Sequence, residues 1–113
     1  PETRALADFC RLYAPRQVVA LHSQGEEIYY QYGPRTPQQS ALVAQMLASV
    51  GGYRVAQPGG TASHAGFKDW FIQETGRPGY TLEVGLGENP LPLEGFEGAY
   101  QKLGPMLAVL SIA

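Results

Sequence analysis

The stretch Gly79–Gly87, "GYTLEVGLG", sets Tyr80, Leu82, Val84 and Leu86 two residues apart, with Thr81, Glu83 and Gly85 between them. That period of two is the signature of a β-strand. It places the carboxylate of Glu83 inside an apolar run, where it is expected to be at least half buried. Burying an unpaired charge costs several kcal/mol, so such a residue normally has a partner, a metal or a raised pKa. The competing arrangement is an edge strand with Glu83 on its solvent face.

Reading outward from this strand, the segments alternate. "FKDWFIQE" just upstream suits a short helix, and "PGGTASHAG" before it is a glycine-rich loop. "YRVAQ" reads as a strand. Thr36 is a candidate N-cap with Pro37 at the first helical position of a helix running to Val50, which Gly51-Gly52 ends. Gln17 to Leu21 is a short apolar run suited to a strand buried on both faces. Residues 2–13 carry Leu6, Phe9, Cys10 and Tyr13 at helical spacing, and Pro15 stands where a helix stops. Downstream, "ENPLPLEG" leads into a last helix from Phe96 to Ile112. The expected fold is α/β, a layered mixed sheet flanked by helices.

With 113 residues, 44% of them hydrophobic, the chain has material for one modest core. Eight basic and ten acidic residues give a net charge of −2 with no long block of either sign, which argues against nucleic acid or an anionic membrane as partner. No run of about 18 apolar residues exists, and the first residues lack the basic-then-apolar pattern of a signal peptide. Cys10 is the only cysteine, so no disulfide forms within the chain, and its helical apolar setting suits a buried, inert thiol.

Side chains that do chemistry in such sheets gather at strand ends. His22 occupies one in "VVALHSQGE", residues 18–26, at the point where an apolar run gives way to polar chain. It reads either as a ligand or catalyst or as a hydrogen-bonded boundary histidine.

"LHSQGEEIYYQYG" and "GFKDWFIQETGRPGYTLEVGLGENPLP", in that order, resemble the C-terminal half of the zinc carboxypeptidase family, in particular its bacterial γ-D-glutamyl-diaminopimelate peptidases. The likeness runs from Val18 to Pro92. It implies that His22, in its His-Ser pair, is the third protein ligand of a catalytic zinc. It implies equally that Glu83, in Thr81-Leu82-Glu83, is the general acid and base that moves the proton of the attacking water. Neutral imidazole is a good zinc ligand, zinc polarises a carbonyl and acidifies water, and a carboxylate can carry that proton to the departing amine.

The family's first two ligands come as His-x-x-Glu, well upstream of the third, and this sequence holds no such motif. Nor does it hold the upstream asparagine and arginine that grip the substrate's terminal carboxylate. The resemblance therefore implies that residues 1–113 are the C-terminal portion of one catalytic domain, inactive alone, and the expected partners besides a peptide substrate are a missing N-terminal segment or, through self-association, further copies of the chain. Lys68, just before Asp69-Trp70, matches the base of the pocket for the residue after the cut, where a cation favours an anionic side chain such as the distal carboxylate of diaminopimelate. His64 sits in the loop where the family carries a mobile substrate-contacting tyrosine and is the candidate to replace it. Tyr29, Tyr30 and Tyr32 are expected to pack, Arg77 to serve a turn, and "GLGENP" lacks a clear helix N-terminus to act as a phosphate loop. The expected activity is zinc-dependent hydrolysis of peptidoglycan stem peptides. The alternative is a non-catalytic α/β module that binds a peptide or a partner.

Overall fold

The computed structural model describes residues 2–22, 25–56, 66–85 and 96–113. Their order is α1 (Glu2–Tyr13), β1 (Val18–His22), β2 (Glu27–Tyr29), α2 (Ser40–Gly51), β3 (Arg54–Val55), α3 (Phe67–Thr75), β4 (Gly79–Glu83) and α4 (Phe96–Ile112). The four strands form one mixed sheet in the order β1-β4-β2-β3. β1 runs parallel to β4, β2 antiparallel to β4, and β3 parallel to β2. The expected α/β class, a mixed sheet flanked by helices, is what is found.

The decisive strand is interior. Tyr80 and Leu82 of β4 are fully buried in a cluster with Ile28, Ala44, Leu47, Tyr53, Met106 and Leu110. That cluster joins β4 and β2 to α2 and α4, and each fully buried aliphatic side chain in it contributes about 1.5–3 kcal/mol. Because side chains alternate along a strand, Gly79, Thr81 and Glu83 face the other way. α3 covers part of that second face, with Lys68 and Ile72 laid so close to Gly79 that an added Cβ would stand 3.2 Å from the lysine stem. Glu83 is therefore not on the solvent face of an edge strand.

Several boundaries differ from expectation. α2 starts at Ser40 with Gln39 at its N-cap, and Thr36 does not cap it. The Thr36 hydroxyl instead accepts from the Tyr32 N–H at 2.8 Å and lies 2.9 and 3.0 Å from the Tyr32 and Gly33 carbonyls, closing the preceding turn. The end of α2 is as expected, since Gly52 adopts the left-handed conformation (φ 69°) and donates to the Ala48 carbonyl. Gly51, still helical, leaves room for α4, because a Cβ there would meet Met106 Sδ at 2.5 Å.

β3 is only two residues long, and β2 is a strand that periodicity does not announce. Among the described side chains of α1 only Ala7 and Cys10 are buried, while Leu6, Phe9, Leu12 and Tyr13 remain exposed. Arg77 does more than turn the chain: its guanidinium donates to the Ala14 and Pro15 carbonyls at 2.9 and 3.0 Å, tying the approach to β4 to the approach to β1. Among the described residues, no helix is long and apolar enough to cross a membrane.

Candidate active site

The strand registers bring four polar side chains into one row. His22 pairs with Glu83 across β1 and β4, Glu83 with Glu27 across β4 and β2, and Glu27 with Arg54 across β2 and β3. Register partners share a face, so the row lies on the side opposite the main core, at the end of the sheet where β1 and β4 terminate. Backbone bonds on both sides hold this end together. The Val84 N–H donates to the His22 carbonyl at 2.6 Å, the Gly25 N–H to the Gly85 carbonyl at 2.7 Å, and the Arg54 N–H to the Glu26 carbonyl at 3.0 Å.

Within the row the environments diverge. Glu83 is only 7% exposed, and its Oε2 is buried without a hydrogen bond from any described residue. A buried oxygen left in that state costs on the order of 1–3 kcal/mol, which is the sort of defect that functional sites retain. His22, the last residue of β1, is exposed, and no described group hydrogen-bonds its ring.

Glu27 is held from two sides. Its Oε1 accepts from the Tyr29 hydroxyl at 3.2 Å, and its Oε2 pairs with the Arg54 guanidinium. The Tyr29 pKa rises because the hydroxyl is partly desolvated and because the charges of Glu27 and Glu83 oppose a phenolate, with Arg54 offsetting part of this. Hydrogen bonding to Glu27, then its charge, raises the Arg54 pKa above its ordinary value.

Lys68 stands elsewhere on the same face. Its Nζ donates to the Gln31 carbonyl at 2.8 Å and lies 2.5 Å from Asp69 Oδ1, with the two side chains 8% and 6% exposed. That oxygen faces Lys68 as an ion-pair partner without an aligned hydrogen bond. The lysine stem crosses Gly79 at the start of β4, four residues from Glu83, which at the rise of a strand is about 13 Å. Lys68 is thus not a solvated surface residue. His64 lies outside the described residues. Among the described residues, no three His, Cys, Asp or Glu side chains converge into a group able to hold a metal ion.

Sequence reasoning paired His22 with Glu83 but missed Glu27, Arg54 and Tyr29. Tyr29 was expected to pack, and Tyr30 does pack against the core, but the Tyr29 hydroxyl belongs to the row. The available signal was the i, i+2 spacing of Glu27 and Tyr29 around Ile28, three residues that carry little periodicity on their own.

No family model matches the chain. Over 97% of its length it is 42% identical to "Gamma-D-glutamyl-L-diamino acid endopeptidase 1" of Lysinibacillus sphaericus. Over 95% of its length it is 37% identical to "Uncharacterized protein YqgT" of Bacillus subtilis (strain 168). The chain spans 28% of the length of each of these relatives. Its similarity is thus to one stretch of a protein named as a peptidase.

Proposed function

We propose that this chain forms part of a zinc-dependent peptidase of the carboxypeptidase type, acting on peptidoglycan stem peptides at a γ-D-glutamyl–diamino acid bond. The observation that carries the reading is Glu83: a nearly buried carboxylate with one oxygen that no described residue hydrogen-bonds, in register with an exposed histidine. The resemblance to an endopeptidase supplies the substrate class.

The donor chemistry fits one corner of a zinc site. An exposed imidazole that no described residue hydrogen-bonds is a ligand zinc accepts, and the other protein ligands would come from outside the described residues. Zinc, when held, polarises the scissile carbonyl and acidifies water.

The remaining work falls to this chain. Glu83 takes the proton of the attacking water and passes it to the departing amine. The pairing of His22 with Glu83 fixes the ligand and the proton carrier relative to each other through backbone hydrogen bonds. Lys68, with one N–H beyond those directed at Gln31 and Asp69, would favour an anionic group on the residue after the cut.

The test uses the full-length protein and a γ-D-glutamyl-L-diamino acid dipeptide. Wild type should release the diamino acid. Glu83→Gln, which keeps shape but cannot cycle a proton, should lose about 10²- to 10⁴-fold in turnover. Near wild-type turnover in the variant would return Glu83 to a structural role.

A further inference from the structure

Glu27 and Glu83 face each other across antiparallel strands, where Cα atoms of partners lie about 5 Å apart. Like charges at such positions destabilise a sheet unless a cation lies between or beside them. Arg54 meets that need only from the far side of Glu27 and is itself 78% exposed, so water screens its charge. Nothing described hydrogen-bonds the second oxygen of Glu83, which is buried in the same row.

Glu27, by contrast, is 21% exposed: accessible, yet oriented by Tyr29 and Arg54. A carboxylate has about four acceptor positions, and these two donors leave room for another. The row thus combines a preset carboxylate, a buried oxygen one strand away that no described residue hydrogen-bonds, and an exposed competitor.

We infer that Glu27 is a specificity-determining residue that receives the side-chain ammonium of a diamino acid, with Tyr29 and Arg54 holding its carboxylate in place. The inference rests on the peptidase reading and adds to it the group that distinguishes a diamino acid from a neutral one. One strand spacing, about 4.8 Å, separates Glu27 from the residue proposed to act at the scissile bond, within the reach of an amine-bearing side chain.

The experiment compares γ-D-glutamyl-L-lysine with γ-D-glutamyl-L-norleucine, which lacks only the amine, as substrates of the full-length protein. Wild type should prefer the lysine dipeptide in kcat/KM. Glu27→Gln should reduce that preference about tenfold or more while leaving cleavage of the norleucine dipeptide near wild type. Arg54→Gln, which keeps the carboxylate but removes one of the two groups that orient it, should lower the preference by less than Glu27→Gln does, again with the norleucine dipeptide spared. Equal losses on both dipeptides in both variants would mean that the pair only braces the sheet, and would overturn the inference.

Cleavage of neither dipeptide by wild type would remove the peptidase reading. Calorimetric titration of the same two dipeptides then decides the inference separately. A selective loss of affinity for the lysine dipeptide in Glu27→Gln sustains it, and indifference to the amine in wild type overturns it.

Discussion

His22 and Glu83 are register partners on neighbouring parallel strands, and the Val84 N–H just after Glu83 donates to the His22 carbonyl at 2.6 Å. Their separation is therefore set by backbone pairing and not by the rotamers of two surface side chains. Since the His22 side chain is exposed at the end of β1 and its ring bonds no described residue, replacing it should cost the fold little. In the full-length protein His22→Ala should lower the thermal midpoint only slightly while sharply reducing bound zinc. Metal analysis of the purified variant beside a melting curve checks both, and unchanged zinc content would exclude His22 from the site.

The legible part of the site follows from local pattern. Glu83 stands out because Tyr80, Leu82 and Val84 alternate around it, and His22 because an apolar run ends there. The rest of the row was hidden for a physical reason. β2 is three residues with a single buried side chain, Ile28, and it exists because β4, more than fifty residues later, supplies its hydrogen bonds. The neighbourhood of Glu27, Glu83 and Arg54 is a product of that non-local register, which no window along the chain contains. The start of α2 was misplaced for a smaller reason: a threonine hydroxyl serves a helix cap and a tight turn equally well, and Thr36 closes the turn.

Lys68 yields a prediction about stability and selectivity together. Its ammonium and the Asp69 carboxylate are both nearly buried, so removing one charge leaves the other without compensation. Breaking a pair of this kind costs about 3–5 kcal/mol. Lys68→Met should therefore be strongly destabilised, and Lys68→Met with Asp69→Leu should recover much of the loss. Denaturant unfolding of the full-length variants measures this. If Lys68 also reads an anionic substrate group, the double variant should lose more activity on a diaminopimelate substrate than on a lysine one. Equal loss on both would confine Lys68 to its structural pair.

Two buried tyrosines make the fold sensitive to alkali. The pKa values of Tyr80 and Tyr53 are raised, in each case chiefly because burial disfavours the phenolate. The folded state thus holds these protons more tightly than the unfolded chain, whose tyrosines titrate near 10. That contribution is complete below about pH 10 and is lost as pH rises through the higher folded-state values. Melting curves from pH 8 to 11 should show a fall that begins near pH 10 and is shallower in Tyr80→Phe. An unchanged slope in that variant would show that Tyr80 does not govern the transition.

The edge of the sheet supplies the last prediction. Among the described residues β1 has a partner only on its β4 side, Leu21 is exposed, and α1 presents Leu6, Phe9, Leu12 and Tyr13 to solvent. A free strand edge beside an apolar patch is a surface that pairs with other chains unless something covers it. The relatives extend well beyond the matched stretch, so the covering segment is proposed to be the rest of such a longer protein. Residues 1–113 expressed alone should then self-associate or aggregate, and co-expression with the remaining segment of the longer protein should give a soluble complex that binds zinc and cleaves the dipeptide. Sedimentation velocity across a concentration series distinguishes the states. A stable monomer over that series, with no gain of zinc or activity from the added segment, would leave an independent binding module as the better account of this chain.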